Sequence, residues 1–373
     1  MLVARTLGAE GYGSLIAVMA IATLFAPLAG LGGQSLLVRD GARNPWHIPR
    51  YLGDALRLWA LTVVPLCAVA FAACRLLVPS ALPGYAIAAI VLADLACTSL
   101  LDVLARTWQA AQRMASYGAS MAGLVALRLV AICALPLVVQ PTPAVWSVCY
   151  GGATAIYAIA IIGAVIKQFG PPRPSGSSVI SLAGAGFPFA FAGSAMRVQA
   201  EANKPLLAGL HTLTGAGVFS AAQRVTDVVV VPLTAAVEAL LPRAYAAQRP
   251  LQTVLRIGIG PICIALLGGC FLFLLAPYAP LLLGASFIGA EAAIKTLALL
   301  PTLLVARLLL TVALAAHGSQ RYFLSVYGAG AIISISATAW WVPIFGMNGA
   351  IAAAYVTELS LIALQGRQLV RAH

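Results

Sequence analysis

Seven basic side chains lie inside long apolar stretches of the sequence, where lipid would surround an exposed residue. They are Arg75, Arg128, Arg197, Lys204, Arg224, Lys295 and Arg307. A Lys or Arg at the centre of a membrane helix costs about 3 kcal/mol on insertion scales, so seven facing lipid would cost about 20 kcal/mol. That exceeds the stability of a typical domain. We therefore expect these cations to face a bundle interior or a watery cavity, and a positive cavity in a membrane indicates a transporter of an anionic substrate.

Arg128 and Arg307 lie near the middle of their predicted spans and have no acidic neighbour there. Neither Arg128 nor Arg307 has an Asp or Glu within four positions, so a local ion pair is excluded. Either a carboxylate from another helix or a bound anion must balance each charge. We predict that both contact substrate, in the unneutralised state. The alternative for Arg128 is an interhelical pair with Asp94, which otherwise faces a cavity, and we expect Glu358 to pair structurally.

A second group of charges follows helical spacing. Arg197, Glu201 and Lys204 are four and three residues apart, so they share one face of a helix. They are predicted to contact phosphate or sugar, with Glu201 holding the cations or taking part in proton or cation coupling. The alternative is a self-neutralised polar patch near the outer membrane surface. Arg224 and Asp227 are three residues apart in the sequence. They either belong to the same substrate-binding site or form a local ion pair.

The elements that must position these charges are membrane helices. Of 373 residues, 62% are hydrophobic and 9% are charged, and the mean hydropathy is +0.98. Runs of about 20 apolar residues recur along the chain, which is the length that crosses a bilayer as a helix. We predict an all-α polytopic membrane protein with about eleven transmembrane helices. The predicted spans are 14–37, 57–78, 85–105, 118–139, 143–166, 180–208, 217–241, 254–276, 292–316, 322–343 and 348–369.

Basic residues occur in alternate connections between these spans. The basic connections and the C-terminal tail contain Arg39, Arg43, Arg50, Arg57, Arg106, Arg113, Lys167, Arg173, Arg243, Arg249, Arg256, Arg321, Arg367 and Arg371. The intervening connections carry no Lys or Arg. The positive-inside rule therefore places the basic connections and the C-terminus in the cytoplasm. Topology thus explains the formal charge of +12, and no nucleic-acid partner is expected.

The sequence contains no motif for a metal site or for a nucleotide-binding site. All seven cysteines lie in predicted spans and none forms a CxxC pair, so neither a metal centre nor a disulfide framework is predicted. No Gly-x-x-x-x-Gly-Lys-Ser/Thr loop occurs, so we expect no ATP hydrolysis. The sequence predicts no catalytic residue, cofactor or metal.

One polar segment divides the chain. Residues 167–178 are rich in Pro, Gly and Ser and are predicted to link an N-terminal helical bundle of five spans (1–166) to a C-terminal bundle of six (179–373). Residues 5–14 resemble 211–220, which indicates an internal repeat, although chance similarity of Gly-rich segments is an alternative. The second copy follows a complete span and the first does not, so we expect a six-plus-six plan whose first helix is missing here.

Several short motifs occur in a distinctive order along the sequence. They are residues 4–13 followed by Leu37-Val-Arg39, then Gly186-Phe-Pro188, 217–222, Leu241-Pro-Arg243, Leu283-Gly284, and 345–352 leading to Glu358. Their order and spacing resemble bacterial oligosaccharide flippases, the O-antigen and exopolysaccharide exporters of the multidrug/oligosaccharidyl-lipid/polysaccharide (MOP) superfamily. The resemblance covers nearly the whole chain. It implies twelve helices in two six-helix bundles with both ends cytoplasmic. Asn203 stands where relatives often carry an Asp, and Glu358 matches a common acid.

The resemblance also implies a task. The expected function is to flip a polyprenyl-diphosphate-linked oligosaccharide across the bacterial inner membrane by alternating access, for export of lipopolysaccharide or exopolysaccharide. A diphosphate meets a very large desolvation barrier in hydrocarbon, and Arg guanidinium groups offer it charge and bidentate hydrogen bonds. The implied partners are the lipid-linked oligosaccharide, membrane lipids, a coupling proton or sodium ion and a polysaccharide polymerase.

Three other functions are weighed against this expectation. A cation-coupled drug exporter of the same superfamily would favour acidic and aromatic cavity residues, whereas intramembrane cations slightly outnumber acids here. A peptidoglycan-precursor flippase is not separated by sequence. A membrane-embedded glycan polymerase or ligase, which would be an enzyme, predicts a long outer loop with catalytic residues, and the outer connections here are short and almost uncharged.

Overall fold

The computed structural model describes residues 2–78, 82–138, 140, 142–238, 250–316 and 320–371. Across these ranges the ordered secondary structure is helical, without strands. Eleven helical stretches of the described chain are long and apolar enough to cross a membrane, which confirms the all-α class and the predicted number. They are Leu2–Leu28, Pro45–Leu77, Gly84–Ala110, Met114–Leu135, Pro143–Phe169, Val179–Glu201, Leu213–Glu238, Arg256–Leu283, Ala290–Leu314, Leu324–Phe345 and Met347–Val370.

The α-helices are numbered in chain order. The first eight are α1 (Leu2–Phe25), α2 (Gly33–Arg43), α3 (Ile48–Leu77), α4 (Gly84–Val91), α5 (Thr98–Ala110), α6 (Met114–Val138), α7 (Pro143–Phe169) and α8 (Val179–Glu201). The remaining eight are α9 (Asn203–Leu210), α10 (Leu213–Glu238), α11 (Pro250–Leu275), α12 (Ala279–Leu283), α13 (Ala290–Leu297), α14 (Leu300–Ala316), α15 (Gln320–Phe345) and α16 (Met347–Arg371). A π-helical turn, Leu92–Cys97, joins α4 to α5.

The first span differs from its prediction of 14–37. Residues 5–13 are helical although their glycines predict a loop, and α1 passes through Gly8, whose φ is 72°. Gly13 packs directly on α10, because a Cβ at Gly13 would lie 1.9 Å from the carbonyl oxygen of Leu213. The glycines of this segment therefore serve a close helix crossing. The predicted end at residue 37 is wrong because the chain turns after Leu28 and starts α2 at Gly33.

Several of the long described helices contain a proline in their interior, for example at Pro65, Pro188, Pro232, Pro261 and Pro343. Each costs about 3 kcal/mol in the interior of a soluble helix, because it removes a hydrogen bond and clashes with the preceding turn. Neighbouring helices and water satisfy the freed backbone groups in membrane bundles. The high proline content therefore agrees with the membrane fold.

The chain forms two compact units. We call Ala17–Arg197 the middle unit, and Met1–Ile16 with Val198–His373 the terminal unit. Both boundaries fall inside helices, α1 and α8, whereas the sequence analysis divided the chain at the linker 167–178. Of the motifs and basic connections noted in the sequence, Leu241-Pro-Arg243 and Arg249 lie outside the described residues.

Each unit has its own apolar core. In the middle unit, α2, α3, α5, α6 and α7 pack around Leu52, Leu101, Leu104, Trp108 and Val165. In the terminal unit, α10, α11, α14 and α16 contribute Leu233, Val237, Val305, Leu309 and Leu369 to a second core. The two cores include α3, α6, α10 and α14, the helices that carry Arg75, Arg128, Arg224 and Arg307.

Candidate functional site

A cation and an acid from different helices meet in the middle unit. Arg128 of α6 lies with its Nη2 atom 3.4 Å from Oδ1 of Asp94 in the π-helical turn. The two side chains are 18% and 5% exposed. The predicted absence of a carboxylate partner is therefore wrong for Arg128, and the interhelical alternative is the one that the structure contains.

The π-helical turn fixes the position of Asp94. Its wider spacing leaves backbone carbonyls for side-chain donors, and the Thr98 hydroxyl donates to the carbonyl oxygen of Ala93 at 2.9 Å. The Ser99 hydroxyl donates to the carbonyl oxygen of Leu95. Such turns are rare and occur often at functional sites. The hydropathy pattern that predicts a span at 85–105 contains no signal for this turn.

Hydroxyl groups and an aromatic ring share the Arg128 guanidinium. Its Nε donates to Thr154 Oγ1 and its Nη2 to Thr98 Oγ1, both at 3.0 Å. The guanidinium carbon lies 4.2 Å from the centre of the Tyr150 ring, a cation–π contact. The Tyr150 hydroxyl in turn donates to Asp94 Oδ1 at 2.5 Å. Among the described atoms, Asp94 Oδ2 is buried without a hydrogen-bond partner.

Sequence reasoning missed Thr98, Tyr150 and Thr154. These residue types are ordinary in membrane helices, and their contacts with Arg128 join positions 26 to 30 residues apart in the two hydrogen bonds. No helical spacing connects them. Only the packing of α5, α6 and α7 brings them together.

A second interhelical pair lies in the terminal unit. Arg307 Nε of α14 donates to Glu358 Oε2 of α16 at 2.6 Å, and these side chains are 18% and 9% exposed. The predicted unneutralised state is therefore also wrong for Arg307. The geometry agrees with the expected structural pairing of Glu358. Substrate contact by Arg128 and Arg307 stays a prediction.

The charges at the end of α8 form a compact local pair. Lys204 Nζ lies 2.5 Å from Glu201 Oε2, and Lys204 is buried. Next to it, Asn203 Oδ1 accepts a hydrogen bond of 2.5 Å from the Thr338 hydroxyl. Arg197, on the same helix as Glu201, is exposed and forms no ion pair with a described carboxylate. The predicted shared face therefore separates into a neutralised pair and one unpaired cation.

Asp227 and Arg224 belong to the same neighbourhood of the terminal unit as this pair. Asp227 interacts electrostatically with Lys204, Glu201 and Arg224. The predicted local ion pair between Arg224 and Asp227 is absent, although the structure describes both residues. Arg224 is exposed on α10. The structure therefore brings together four predicted site residues, Glu201, Lys204, Arg224 and Asp227.

The two remaining cations of the spans, Lys295 and Arg75, lie near the ends of their spans. Lys295 forms an ion pair of 2.6 Å with Glu291 and lies 5.8 Å from the centre of the Phe273 ring. The four-residue spacing of this pair was visible in the sequence and was missed. Arg75 is exposed near the end of α3, where a long basic side chain can reach the head groups.

The described residues contain no group of three or more His, Cys, Asp and Glu side chains that could hold a metal ion.

Solved structures with this architecture define the class of the protein. An inward-facing multidrug resistance MATE family transporter of the MOP superfamily is 16% identical, with a TM-score of 0.75, and the match covers 100% of this chain and 93% of that one. The MATE multidrug transporter DinF-BH is 17% identical, with a TM-score of 0.63 and coverage of 99% and 89%. A MOP transporter from Pyrococcus furiosus is 14% identical, with a TM-score of 0.61 and coverage of 98% and 91%. The fold is that of the MOP-superfamily transporters.

The sequence identifies the family within this class. The family model described as polysaccharide biosynthesis protein matches residues 1–247. The chain therefore belongs to the polysaccharide biosynthesis protein family, as its motifs predict. No curated protein matches the chain significantly. The protein is a multi-pass membrane protein of this family, and its fold is the one seen in MOP-superfamily transporters.

Proposed function

We propose that this protein flips a polyprenyl-diphosphate-linked oligosaccharide across the bacterial inner membrane, for the export of a cell-surface polysaccharide. Membership of the polysaccharide biosynthesis family is the observation that carries the proposal. The basic connections and the C-terminus lie in the cytoplasm in this proposal, as the distribution of Lys and Arg predicts. A proton or sodium ion drives the transport, and a polysaccharide polymerase receives the product.

Cations within the spans supply the chemistry that such a substrate needs. Arg197 and Arg224 are exposed on membrane helices without an ion pair to a described carboxylate. Guanidinium groups bind phosphate oxygens bidentately and remain charged at every physiological pH. Lys204 and Arg307 add positive charge that is balanced at rest by Glu201 and Glu358. Access of these groups alternates between the two membrane faces during transport.

In this proposal the Arg128 guanidinium can exchange its contact with Asp94 for a contact with a substrate phosphate. Its contact with Asp94 is long at 3.4 Å, and its hydroxyl partners stay in place when the carboxylate is displaced. A phosphate that approaches Arg128 therefore competes with one weak contact rather than with a tight salt bridge. Asp94 and Asp227 balance charge in the empty protein and are the acids that we assign to ion coupling.

Deletion of the gene tests the proposal directly. The expected result is a lipid-linked oligosaccharide that accumulates in the cytoplasmic leaflet, detected by extraction and mass spectrometry, and its recovery when the gene is restored. Accumulation of a peptidoglycan precursor, or increased drug sensitivity with normal glycan export, would replace the proposal by one of its rivals.

Variants of the unpaired cations test the site. Arg197→Ala with Arg224→Ala is expected to lower glycan export at least about tenfold, which corresponds to about 1.4 kcal/mol of lost phosphate binding. Arg75→Ala is the matched control, because it removes an exposed cation from a span end and should leave export unchanged. Full export by the double variant would remove both residues from the site.

The drug-exporter alternative rests on the fold. DinF-BH is described as a multidrug transporter and shares this architecture. A further MOP transporter, from Pyrococcus furiosus, is described as having a binding pocket of reverse polarity that suggests a different function. Pocket charge therefore varies within one fold, and the excess of intramembrane cations favours an anionic substrate here.

A further inference from the structure

An apolar groove lies on the middle unit between α3, α5 and α7. Its volume is about 290 Å³. Its walls include Leu56, Ala60, Leu104, Ile162, Ile166 and Pro172. The size approaches the lower limit of small-molecule sites, about 300 Å³. Because cavities lined by apolar side chains do not hold water, a groove of this kind within a membrane span is filled by hydrocarbon.

Trp59 makes one wall of the groove rigid. Its indole Nε1 donates to Ser99 Oγ at 2.9 Å, so the polar atom of the side chain is satisfied inside the bundle. The carbon face of the ring remains for the groove. Leu52 and Val165, which also line it, belong to the apolar core of the unit. The groove is therefore a preformed feature of the fold.

The linker closes one end of the groove. After Pro172, the backbone N–H of Arg173 donates to the carbonyl oxygen of Pro49, and that of Ser175 donates to Asp54 Oδ1, both at 2.9 Å. Gly53 permits this approach, since a Cβ there would lie 2.5 Å from the backbone nitrogen of Pro174. The linker is thus held along α3. This is the end that the positive-inside rule assigns to the cytoplasm.

Three exposed cations adjoin, in the sequence, residues that line the groove. Arg57, Lys167 and Arg173 each directly follow a residue that lines the groove, and all three are exposed. None forms an ion pair with a described carboxylate. The guanidinium of Arg57 donates to the carbonyl oxygen of Ser177 at 3.4 Å, which leaves its charge unbalanced. The closed end therefore attracts anions, while the groove beside it accepts a hydrocarbon chain.

We propose that the groove binds the isoprenoid chain of a polyprenyl diphosphate in the cytoplasmic leaflet, with the diphosphate between Arg57, Lys167 and Arg173. This inference rests on the proposed function and names where the lipid-linked substrate docks before transport. Three cations match the two or more negative charges of a polyprenyl diphosphate, with or without its glycan, better than the single charge of phosphatidylglycerol. A single groove also suits a lipid with one chain rather than two.

Lipid binding to the purified full-length chain tests the inference without any need for transport. Native mass spectrometry with undecaprenyl diphosphate as the probe is expected to show one retained lipid, which phosphatidylglycerol displaces only at an excess of at least about tenfold. Displacement by equal amounts of phosphatidylglycerol would assign the groove to phospholipid and overturn the proposal.

Two kinds of variant separate the tail from the head group. Ala60→Trp fills the groove and should weaken undecaprenyl diphosphate binding at least about tenfold. Leu61→Trp, on a neighbouring exposed position outside the groove, is its control.

Lys167→Ala with Arg173→Ala should abolish the preference for undecaprenyl diphosphate over undecaprenol, whereas Arg113→Ala, in another basic connection, should preserve it. Ile166→Trp fills the same groove from α7 and replaces Ala60→Trp if that variant does not elute as a folded monodisperse protein.

The outcomes distinguish this inference from the proposed function. Unchanged binding in a folded groove-filling variant overturns the groove even when the wild-type gene restores glycan export. Groove-dependent binding by a protein that fails to restore export supports the groove and contradicts the proposed function.

Discussion

The two interhelical Arg–carboxylate pairs differ in how their charges are shared. In the terminal unit, Arg307 Nε and Glu358 Oε2 are 2.6 Å apart, a short charge-assisted hydrogen bond. In the middle unit, Arg128 and Asp94 are 3.4 Å apart, and the guanidinium also holds Thr98 and Thr154. The residue types are nearly the same, and both arginine side chains are 18% exposed. Burial therefore does not explain the difference.

The surrounding partners explain it. A pair that depends on one short contact is costly to break, because either partner is then left buried and charged. A guanidinium shared among two hydroxyls and the ring of Tyr150 loses only part of its stabilisation when the carboxylate leaves. The comparison shows that the Arg307 pair links α14 to α16 through a short ion pair, whereas the Asp94 contact is one of several that hold Arg128.

Removal of the acid in the tight pair should have the largest effect. Glu358→Gln keeps the shape of the side chain but leaves Arg307 without its counter-charge, which is expected to destabilise the protein by about 3–5 kcal/mol. The measurement is the thermal midpoint in detergent, followed by fluorescence-detected size exclusion. The control Arg307→Met with Glu358→Leu removes both charges and should remain close to wild type. A Glu358→Gln midpoint equal to wild type would show that the pair has no structural role.

The same change in the loose pair should have a smaller effect. In Asp94→Asn, the amide oxygen still accepts from Tyr150 and Arg128 keeps its hydroxyl partners, so the expected loss is about 1–2 kcal/mol. The variant should also bind undecaprenyl diphosphate no less tightly than wild type, since a negative charge has been removed. The midpoint is measured as for Glu358→Gln. A loss as large as that of Glu358→Gln would refute the distinction between the two pairs.

Loss of one hydroxyl partner should have the smallest effect. Thr154→Val removes the acceptor for Arg128 Nε with little change in shape, and we expect a loss of about 1 kcal/mol. Thr357→Val is the matched control in the terminal unit, because the buried Thr357 hydroxyl donates to the backbone carbonyl of Ala353 on its own helix and should cost less when lost. Combination of Thr154→Val with Asp94→Asn should cost more than the sum of the single changes. Strict additivity would indicate that the two partners of Arg128 act independently.

The sequence predicted the need for partners better than their identity. The absence of an acid within four positions of Arg128 and Arg307 correctly indicated that any balancing carboxylate would come from elsewhere. Asp94 and Glu358 lie 34 and 51 residues away from them, distances at which helical spacing carries no information. By contrast, the Glu291–Lys295 pair follows local spacing and was open to prediction.

Other features of the fold show the same difference: those set by neighbouring residues were predictable, and those set by distant contacts were not. The number of spans was predictable, because the hydrophobic length of each helix is a property of its own residues. The start of α1 was not, because the glycines of residues 5–13 fit either a loop or a close crossing, and the contact of Gly13 with Leu213 decides between them.

The sequence by itself determined that this chain is an all-α membrane protein of the polysaccharide biosynthesis family, and that its buried cations require compensation. Hydropathy, charge and the order of motifs are properties of the sequence itself and do not depend on tertiary contacts. The tertiary structure decided which carboxylate forms an ion pair with which cation, and where a π-helical turn places Asp94. It also decided how the linker closes one end of the apolar groove. These features depend on residues that are distant in sequence, and only the packing of whole helices brings their side chains within hydrogen-bonding range.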